Sequence, residues 1–279
     1  METAVPARKV RCLQTLHHRL PAETIPYRIC RLMEYKERSY RSRFSNDERR
    51  WFCVKFLESD LWIGVDSGSY RASMEADVYA MLVELRRSMD AYLLMDPAYK
   101  AALTPYDAGL EAPDILKEMS RVSHKTGIGP MSAVAGAVAK YVADFLGTKE
   151  VIVENGGDIY AQATTDMDIS VFAGQSPLSE KVGLHIPASA FPLGICTSSG
   201  TVGPSLSLGR ADAMMIICKD VLLADSYATA FANRIQTIND LQPVTDRIQN
   251  IPDILGALAV KDDRLAVCGQ FELRIFRGN

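Results

Sequence analysis

The sequence lacks long apolar runs and a strong charge of either sign. No stretch approaches the roughly 20 apolar residues that a membrane-spanning helix needs, and residues 1–21 are polar, without the apolar core of a secretory signal peptide. The formal net charge is −3, which gives no reason to expect nucleic-acid binding or attachment to an anionic membrane. We therefore expect a cytoplasmic protein that binds neither nucleic acid nor membrane.

The residue types that make zinc sites and hydrolase triads are scarce. Six cysteines are scattered without a CxxC pair, so neither a zinc site nor a disulfide framework is indicated. Three of them, Cys53, Cys218 and Cys268, lie in apolar, strand-like runs, where reduced and buried cysteine is expected. The four histidines fall in no Ser/His/Asp or HExxH spacing. The absence of GxGxxG and Walker-type loops leaves Rossmann and P-loop nucleotide binding without support.

What is present is a globular composition, 48% hydrophobic and 23% charged, in 279 residues. Apolar spacings of three and four predict a helix over about 74–94, and a helix of small residues follows over about 130–147. From residue 150 onward, β-rich runs alternate with turn residues, and a further helix begins at about Ala224. The predicted fold class is α+β, with antiparallel sheets and helices packed on them, in one domain of residues 1–279 whose first 24 residues form a loosely packed lead-in.

The segment 28–43 is rich in arginine. A solvated face of a strand or helix accounts for this composition. The alternative is a local site for a phosphate or a carboxylate, because clustered guanidinium groups suit anions.

Two glycines interrupt β-rich sequence in Asn155-Gly156-Gly157-Asp158. One interpretation is a hairpin turn, since Asn-Gly and Gly-Asp suit backbone conformations with positive φ. The other is a ligand site, because glycine lets the backbone approach another molecule while Asn and Asp offer donors and acceptors. These four residues alone leave both interpretations open.

Hydroxyl groups are concentrated where a predicted strand ends, in Thr197, Ser198, Ser199 and Thr201, with Gly200 among them. Hydroxyls and glycine amides at a strand end suit a phosphate or a ring rich in carbonyl groups. A flexible Ser/Gly loop is the alternative interpretation.

Asp225 and Thr229 are four residues apart at the predicted start of a helix, so that they share one face. A carboxylate and a hydroxyl projecting together suit Mg²⁺, which completes its coordination shell with water and phosphate oxygens. An ordinary N-capping aspartate is the alternative, and it is common at helix starts.

Taken in order, GGDI, TSSGT and ADSYATA, following a helix of small residues, resemble the ApbE family of Mg²⁺-dependent FAD:protein FMN transferases. The resemblance covers roughly residues 125–235 and implies an ApbE-like fold, with FAD and Mg²⁺ as cofactors. It assigns Asp225 and Thr229 to the metal and gives Asp158 a role as ligand-orienting residue or base. It also implies a flavin or nucleotide site lined by Asn155, Gly156, Gly157, Thr197, Ser198, Ser199, Gly200 and Thr201.

The chain departs from the family pattern in two places. The family's His-x-x-Asp-Pro-Arg-Thr-Gly stretch between the second and third motifs is replaced by a segment with neither histidine nor Asp-Pro, and Lys-Gly-Tyr becomes Ala139-Lys140-Tyr141. The chain is therefore most similar to a cytoplasmic branch of ApbE-like proteins known chiefly by sequence and fold. Three functions stay open: transfer or hydrolysis of a flavin nucleotide, binding of a nucleotide or small metabolite without catalysis, and a ligand-free interaction module. A homodimer is compatible with the sequence.

Overall fold

The largest element of the fold is an antiparallel sheet. The computed structural model describes residues 49–202 and 207–276. The strands are β1 (Arg49–Phe56), β2 (Ser59–Asp66), β3 (Val151–Asn155), β4 (Asp158–Gln162), β5 (Met167–Ser170), β6 (Val182–Ile186), β7 (Leu193–Ser198), β8 (Ala213–Cys218), β9 (Ile254–Lys261), β10 (Arg264–Gly269) and β11 (Glu272–Ile275). Within the described residues, eight strands form one sheet in the order β1-β2-β3-β4-β7-β8-β9-β10, and three form a second in the order β11-β6-β5.

The helices pack on one face of the eight-stranded sheet. They are α1 (Met74–Met95), α2 (Pro97–Ala101), α3 (Asp114–Thr126), α4 (Val134–Leu146), α5 (Val221–Ala232) and α6 (Leu241–Ile248). Both α3 and α4 end at a glycine in the left-handed conformation, Gly127 with φ of 77° and Gly147 with φ of 57°. Glycine adopts this conformation without the Cβ penalty of other residues, which explains why the helices stop there.

Strand alternation divides the core into two apolar layers. Val153, Cys196 and Met214 point toward the helices, whereas their strand neighbours Ile152 and Met215 point toward the three-stranded sheet. The large sheet is therefore buried on both faces over its central strands. α5 lies against β7 and β8, and eleven of its twelve residues are buried as a result.

The predicted α+β class is confirmed, with antiparallel sheets and helices packed on one of them. Two boundaries differ from the prediction. α5 begins at Val221 instead of Ala224, because the side chain of Asp220 caps it by accepting a hydrogen bond from the backbone N–H of Leu222 at 2.9 Å. Pro130 opens a short 3₁₀ turn, Pro130–Ala133, and the α-helix proper starts at Val134.

The cysteine prediction is confirmed at Cys218 and Cys268, which are buried thiols, whereas Cys53 is half-buried. The predicted lead-in at residues 1–24 and the arginine-rich segment 28–43 lie outside the described residues. The single-domain interpretation stays a prediction for that reason.

Candidate functional site

The turn between β3 and β4 lies at the same edge of the sheet as the end of β7. Asn155 pairs with Asp158 across the turn, and Asp158 pairs with Cys196 of β7. Gly156 and Gly157 have φ of 76° and 109°, which identifies a tight hairpin turn that needs glycine. The interpretation of residues 155–158 as a hairpin turn is thus confirmed, and the turn is held against β7 by the N–H of Thr197, which donates to the carbonyl of Gly157 at 3.2 Å.

Register decides which of the predicted site residues share a face. Asn155 lies on the helix-facing side of the sheet together with Val153, and Asp158 lies on the same side together with Tyr160, because residues two apart in a strand share a face. The side-chain amide of Asn155 donates a hydrogen bond to the backbone carbonyl of Ala135 at 3.2 Å. Ser198 pairs with Met214, which also faces the helices. Thr197 instead pairs with Met215, a residue of the layer between the two sheets. Ser198 therefore lies on the face of Asp158, and Thr197 lies on the opposite face.

Asp225 lies one turn inside α5 and is not an N-cap, so the N-cap interpretation is wrong. Asp225 is 7% exposed, and its Oδ2 accepts a hydrogen bond from the backbone N–H of Gly136 in the first turn of α4 at 2.8 Å. The residue before α4, Ala133, makes no side-chain capping hydrogen bond. Asp225 of α5 thus accepts a hydrogen bond from one of the backbone N–H groups that have no partner within the first turn of α4. A negative charge is favourable at this end of a helix.

Two glycines allow α5 to approach its neighbours this closely. A Cβ at Gly136 would lie 2.8 Å from the carbonyl oxygen of Val221, and a Cβ at Gly194 of β7 would lie 2.2 Å from the Cα of Val221. The first turn of α5 is therefore wedged between α4 and β7. This packing brings Asp225 close enough to Asp158 for their charges to interact.

The electrostatics of this edge are dominated by carboxyl groups. Burial raises the pKa of Asp225 from its ordinary value of 3.8 to about 7, against two backbone hydrogen bonds from α4 that lower it. Burial raises the pKa of Asp158 well above the ordinary value, and the nearby charge of Asp225 raises it further. Neither carboxylate has an ion-pair partner in residues 49–202 and 207–276.

The hydroxyl groups at the end of β7, in the β7–β8 connection and at Thr229 of α5 fall into two sets. Ser199 accepts hydrogen bonds from the N–H groups of Thr201 and Val202 and donates to the carbonyl of Ala211, and Thr201 donates to Asp212 at 2.9 Å. These hydroxyls hold the loop in place. Gly200 allows the loop to pack, since a Cβ there would lie 2.1 Å from the carbonyl oxygen of Gly209.

The second set of hydroxyls has no hydrogen-bond partner within the part of the chain that the structure describes: Thr197, Ser198 and Thr229. Thr229 is also the one residue of α5 that is not fully buried. Ser198 and Thr229 are therefore available to a ligand on the side of Asp158, in contrast to Ser199 and Thr201, whereas Thr197 lies on the opposite face. Sequence reasoning could not separate the two sets, because Ala211 and Asp212 are about ten residues away along the chain.

Sequence reasoning also missed several residues that shape this edge. Glu154 accepts a hydrogen bond from the N–H of Gly157 at 3.1 Å and so braces the glycine turn. The buried thiol of Cys196 lies beside Asp158, and burial raises its pKa well above the ordinary value. Asp212 anchors the β7–β8 loop to the β9–β10 hairpin by accepting a hydrogen bond from the N–H of Asp262 at 2.6 Å. The buried Ser226 was passed over because an alcohol beside a predicted metal ligand carries no signal of its own.

The donor set suits a hard divalent cation that is shared with a ligand. No group of three or more His, Cys, Asp or Glu side chains in the described residues is placed to hold a metal ion by itself. What the site offers is the Asp225 carboxylate, the unpaired hydroxyl of Thr229 one turn later and the second carboxylate of Asp158. Mg²⁺ prefers oxygen ligands of this kind and takes few of them from the protein, leaving positions for water and phosphate.

A protein-family model described as AbpE bacteria matches residues 41–252. The chain belongs to this family. It is 38% identical over 192 residues to the UPF0280 protein of Methanocella arvoryzae, covering 68% of this chain and 78% of the relative. It is also 31% identical over 227 residues to the UPF0280 protein of Methanocaldococcus jannaschii, covering 79% and 91%. The resemblance to the ApbE family in the sequence motifs is thereby confirmed.

Comparison of structures shows the same fold. The flavin transferase ApbE from Vibrio cholerae superposes with a TM-score of 0.53 at 12% identity, covering 79% of this chain and 96% of that protein. A single-residue mutant of the same transferase gives the same TM-score at 14% identity, covering 80% and 97%. The superposition establishes the ApbE-like fold. At identities this low, the shared fold does not transfer the site residues of one protein to the other. No helix in the described residues is long and apolar enough to cross a membrane.

Proposed function

We propose that this chain binds FAD or a closely related flavin nucleotide together with Mg²⁺ and acts on the phosphoanhydride of that nucleotide. The observation that carries the proposal is the carboxylate pair of Asp158 and Asp225, desolvated and without a described cationic partner. Two neighbouring carboxylates in a desolvated site repel each other, and a bound cation relieves the repulsion. The family and the flavin transferases that share the fold support a flavin nucleotide as the ligand.

The proposed roles of the site residues follow from their surroundings. Asp225 and Thr229, one helical turn apart, would hold the metal ion, and Asp225 keeps its hydrogen bond to Gly136 through Oδ2. Bound there, Mg²⁺ would neutralise the carboxylates and polarise phosphate oxygens as a Lewis acid. The Ser198 hydroxyl, on the same face as Asp158, and the exposed Gly156 turn would contact the nucleotide. Ser199, Gly200 and Thr201 would support the loop without contributing hydroxyl groups of their own to the ligand.

Asp158 is the residue best placed to move a proton. A carboxylate whose pKa is raised by burial is a stronger base than one in water, and Asp158 has this property. It would take the proton of an attacking hydroxyl group. The hydroxyl oxygen would bond to the flavin-side phosphorus as the phosphoanhydride bond breaks and AMP leaves. A protein hydroxyl as acceptor gives flavin transfer, and water gives hydrolysis to FMN and AMP.

The test is incubation of the purified protein with FAD, with and without Mg²⁺, followed by chromatographic measurement of AMP and FMN. AMP should appear only with Mg²⁺, and Asp225→Asn should reduce its rate by at least about a hundredfold. Asp220→Asn is the matched control, because Asp220 caps the same helix and forms an ion pair with Arg121 instead. Release of AMP at the wild-type rate by Asp225→Asn would rule out the proposed metal ligand.

A second function, binding without turnover, is favoured by the segment between the second and third motifs, which contains neither histidine nor Asp-Pro. In this case the site would retain the flavin nucleotide as a carrier or accessory protein does. Equilibrium dialysis with FAD and Mg²⁺ separates the two functions. Saturable binding of FAD without any release of AMP would support the second function and contradict hydrolysis of FAD.

A further inference from the structure

Ser226 is an alcohol in the most buried helix of the described chain. Eleven of the twelve residues of α5 are buried, and Ser226 is 0% exposed. Leaving a buried hydroxyl group without a partner costs about 1–3 kcal/mol. A serine at this position therefore needs hydrogen-bond partners, although it directly follows the proposed metal ligand Asp225.

The partners are two other hydroxyl groups. The Oγ of Ser226 lies 2.7 Å from Oγ1 of Thr126 and 2.8 Å from Oγ of Ser132. Thr126 is the last residue of α3, and Ser132 belongs to the 3₁₀ turn that leads into α4. The hydroxyl cluster of Thr126, Ser132 and Ser226 thus joins three separate elements at one point.

Proton counting shows that each member of the cluster is committed. Ser132 Oγ lies 2.7 Å from the carbonyl of Gly129, and Thr126 Oγ1 lies 3.1 Å from the carbonyl of Val122, so both hydroxyls can donate to backbone. Thr126 Oγ1 also lies 3.4 Å from the carbonyl of Ser123, so the three hydroxyl protons are shared among five oxygen–oxygen contacts. Removal of the Ser226 hydroxyl would leave the other two without the contact that ties them to α5.

The cluster holds the segment that sets the start of α4. The backbone turns at Gly127, with φ of 77°, and Gly129 lies so close to the preceding loop that a Cβ would be 1.8 Å from the carbonyl oxygen of Ala102. A few residues later, the first turn of α4 presents the carbonyl of Ala135 to Asn155 and the N–H of Gly136 to Asp225. The position of this turn relative to α5 fixes both contacts.

We infer that the hydroxyl cluster of Thr126, Ser132 and Ser226 is a positioning device, which sets the first turn of α4 against Asp225 and thereby the Mg²⁺ affinity of the site. The inference rests on the proposed function for its metal. Groups that orient metal ligands typically change metal affinity by about 10–100-fold when they are removed. We expect a loss of this size in Ser226→Ala, with a smaller loss in Thr126→Val.

The experiment combines two measurements on the full chain. Hydrogen–deuterium exchange of the metal-free protein reports the order of residues 127–136, and titration with Mg²⁺, followed by the thermal midpoint of unfolding, reports metal affinity. Thr245→Val is the matched control, because it also deletes a buried hydroxyl, one that donates to the carbonyl of Leu241 in α6, away from the site.

Faster exchange at residues 127–136 with at least about tenfold weaker Mg²⁺ binding in Ser226→Ala, and neither change in Thr245→Val, is the expected result. Unchanged exchange at residues 127–136 would overturn the positioning role, whatever the metal does. Faster exchange with unchanged Mg²⁺ affinity would overturn the link to the metal. If the wild-type protein does not respond to Mg²⁺ at all, the proposed function fails, and the exchange data still decide whether the cluster orders α4.

Discussion

Replacement of Asp225 by asparagine should stabilise the metal-free protein at a pH above about 7 while removing its response to Mg²⁺. Burial raises the pKa of Asp225 from 3.8 to about 7 in the folded protein. The folded state therefore favours the protonated carboxyl. The stability that this preference contributes is fully present below the pKa of Asp225 in the unfolded state. It is lost as the pH rises toward the pKa in the folded state and is absent above about 7.

The magnitude follows from this shift and from the hydrogen bond that asparagine retains. A shift of about three pKa units, at about 1.4 kcal/mol each, sets an upper limit of roughly 4 kcal/mol on the cost of the charge above the folded pKa. The amide oxygen of the introduced asparagine would still accept the N–H of Gly136, but its amide hydrogens need partners, which offsets about 1–2 kcal/mol. A net gain of about 2 kcal/mol corresponds to a midpoint increase of roughly 4–8 °C for a chain of this size.

The assay is thermal unfolding of both proteins in EDTA at about pH 5 and about pH 8. The variant should have the higher midpoint at the higher pH, and the difference should shrink or reverse at the lower pH. Mg²⁺ should raise the midpoint of the wild-type protein alone. A variant that is less stable at both pH values, or a difference that does not depend on pH, would refute the argument that the Asp225 charge is buried without compensation.

Three further substitutions test other parts of the site. Thr229→Val should increase by about tenfold the Mg²⁺ concentration needed to raise the thermal midpoint, whereas Thr229→Ser should need the same concentration as the wild-type protein, because only the hydroxyl is required. Gly136→Ala should cost about 1–3 kcal/mol in urea unfolding, since its Cβ would lie 2.8 Å from a backbone carbonyl of α5 that cannot easily move, and a neutral result would argue against the tight contact between α4 and α5. Tyr99→Phe should cost about 1–2 kcal/mol in the same assay, because its hydroxyl donates to the buried carbonyl of Leu116 at 2.7 Å, and an unchanged midpoint would show that water replaces it.

Most of the fold could be predicted because its signals are local. The strands after residue 150 are bounded by turn residues, and the hairpin at Asn155–Asp158 requires the positive φ that two consecutive glycines allow. The helix ends at Gly127 and Gly147 follow from the same property of glycine. The start of α5 was placed three residues late, because Asp220 and Asp225 resemble each other as capping candidates until the helix is seen to begin at Val221.

The candidate site was only partly predictable. Three short motifs along the chain point to Asp158, Asp225 and the residues around Ser198, and the family that they indicate is confirmed. They do not reveal that Ser199 and Thr201 are occupied by loop contacts while Ser198 is free among the described residues. Nor do they reveal that Asp225 accepts a hydrogen bond from a residue 89 positions earlier.

The sequence by itself determined the order of the main helices and strands, which turn needs glycine and which family the chain resembles. These properties depend on backbone conformations and on side chains adjacent along the chain. Only the tertiary structure decided that Asp225 is buried beside Asp158, that Thr229 is the half-buried residue of α5 and that the Ser226 hydroxyl connects three elements. Desolvation and hydrogen-bond partners depend on groups that are distant in sequence and meet only when the sheet and helices pack, and the proposed chemistry depends on both.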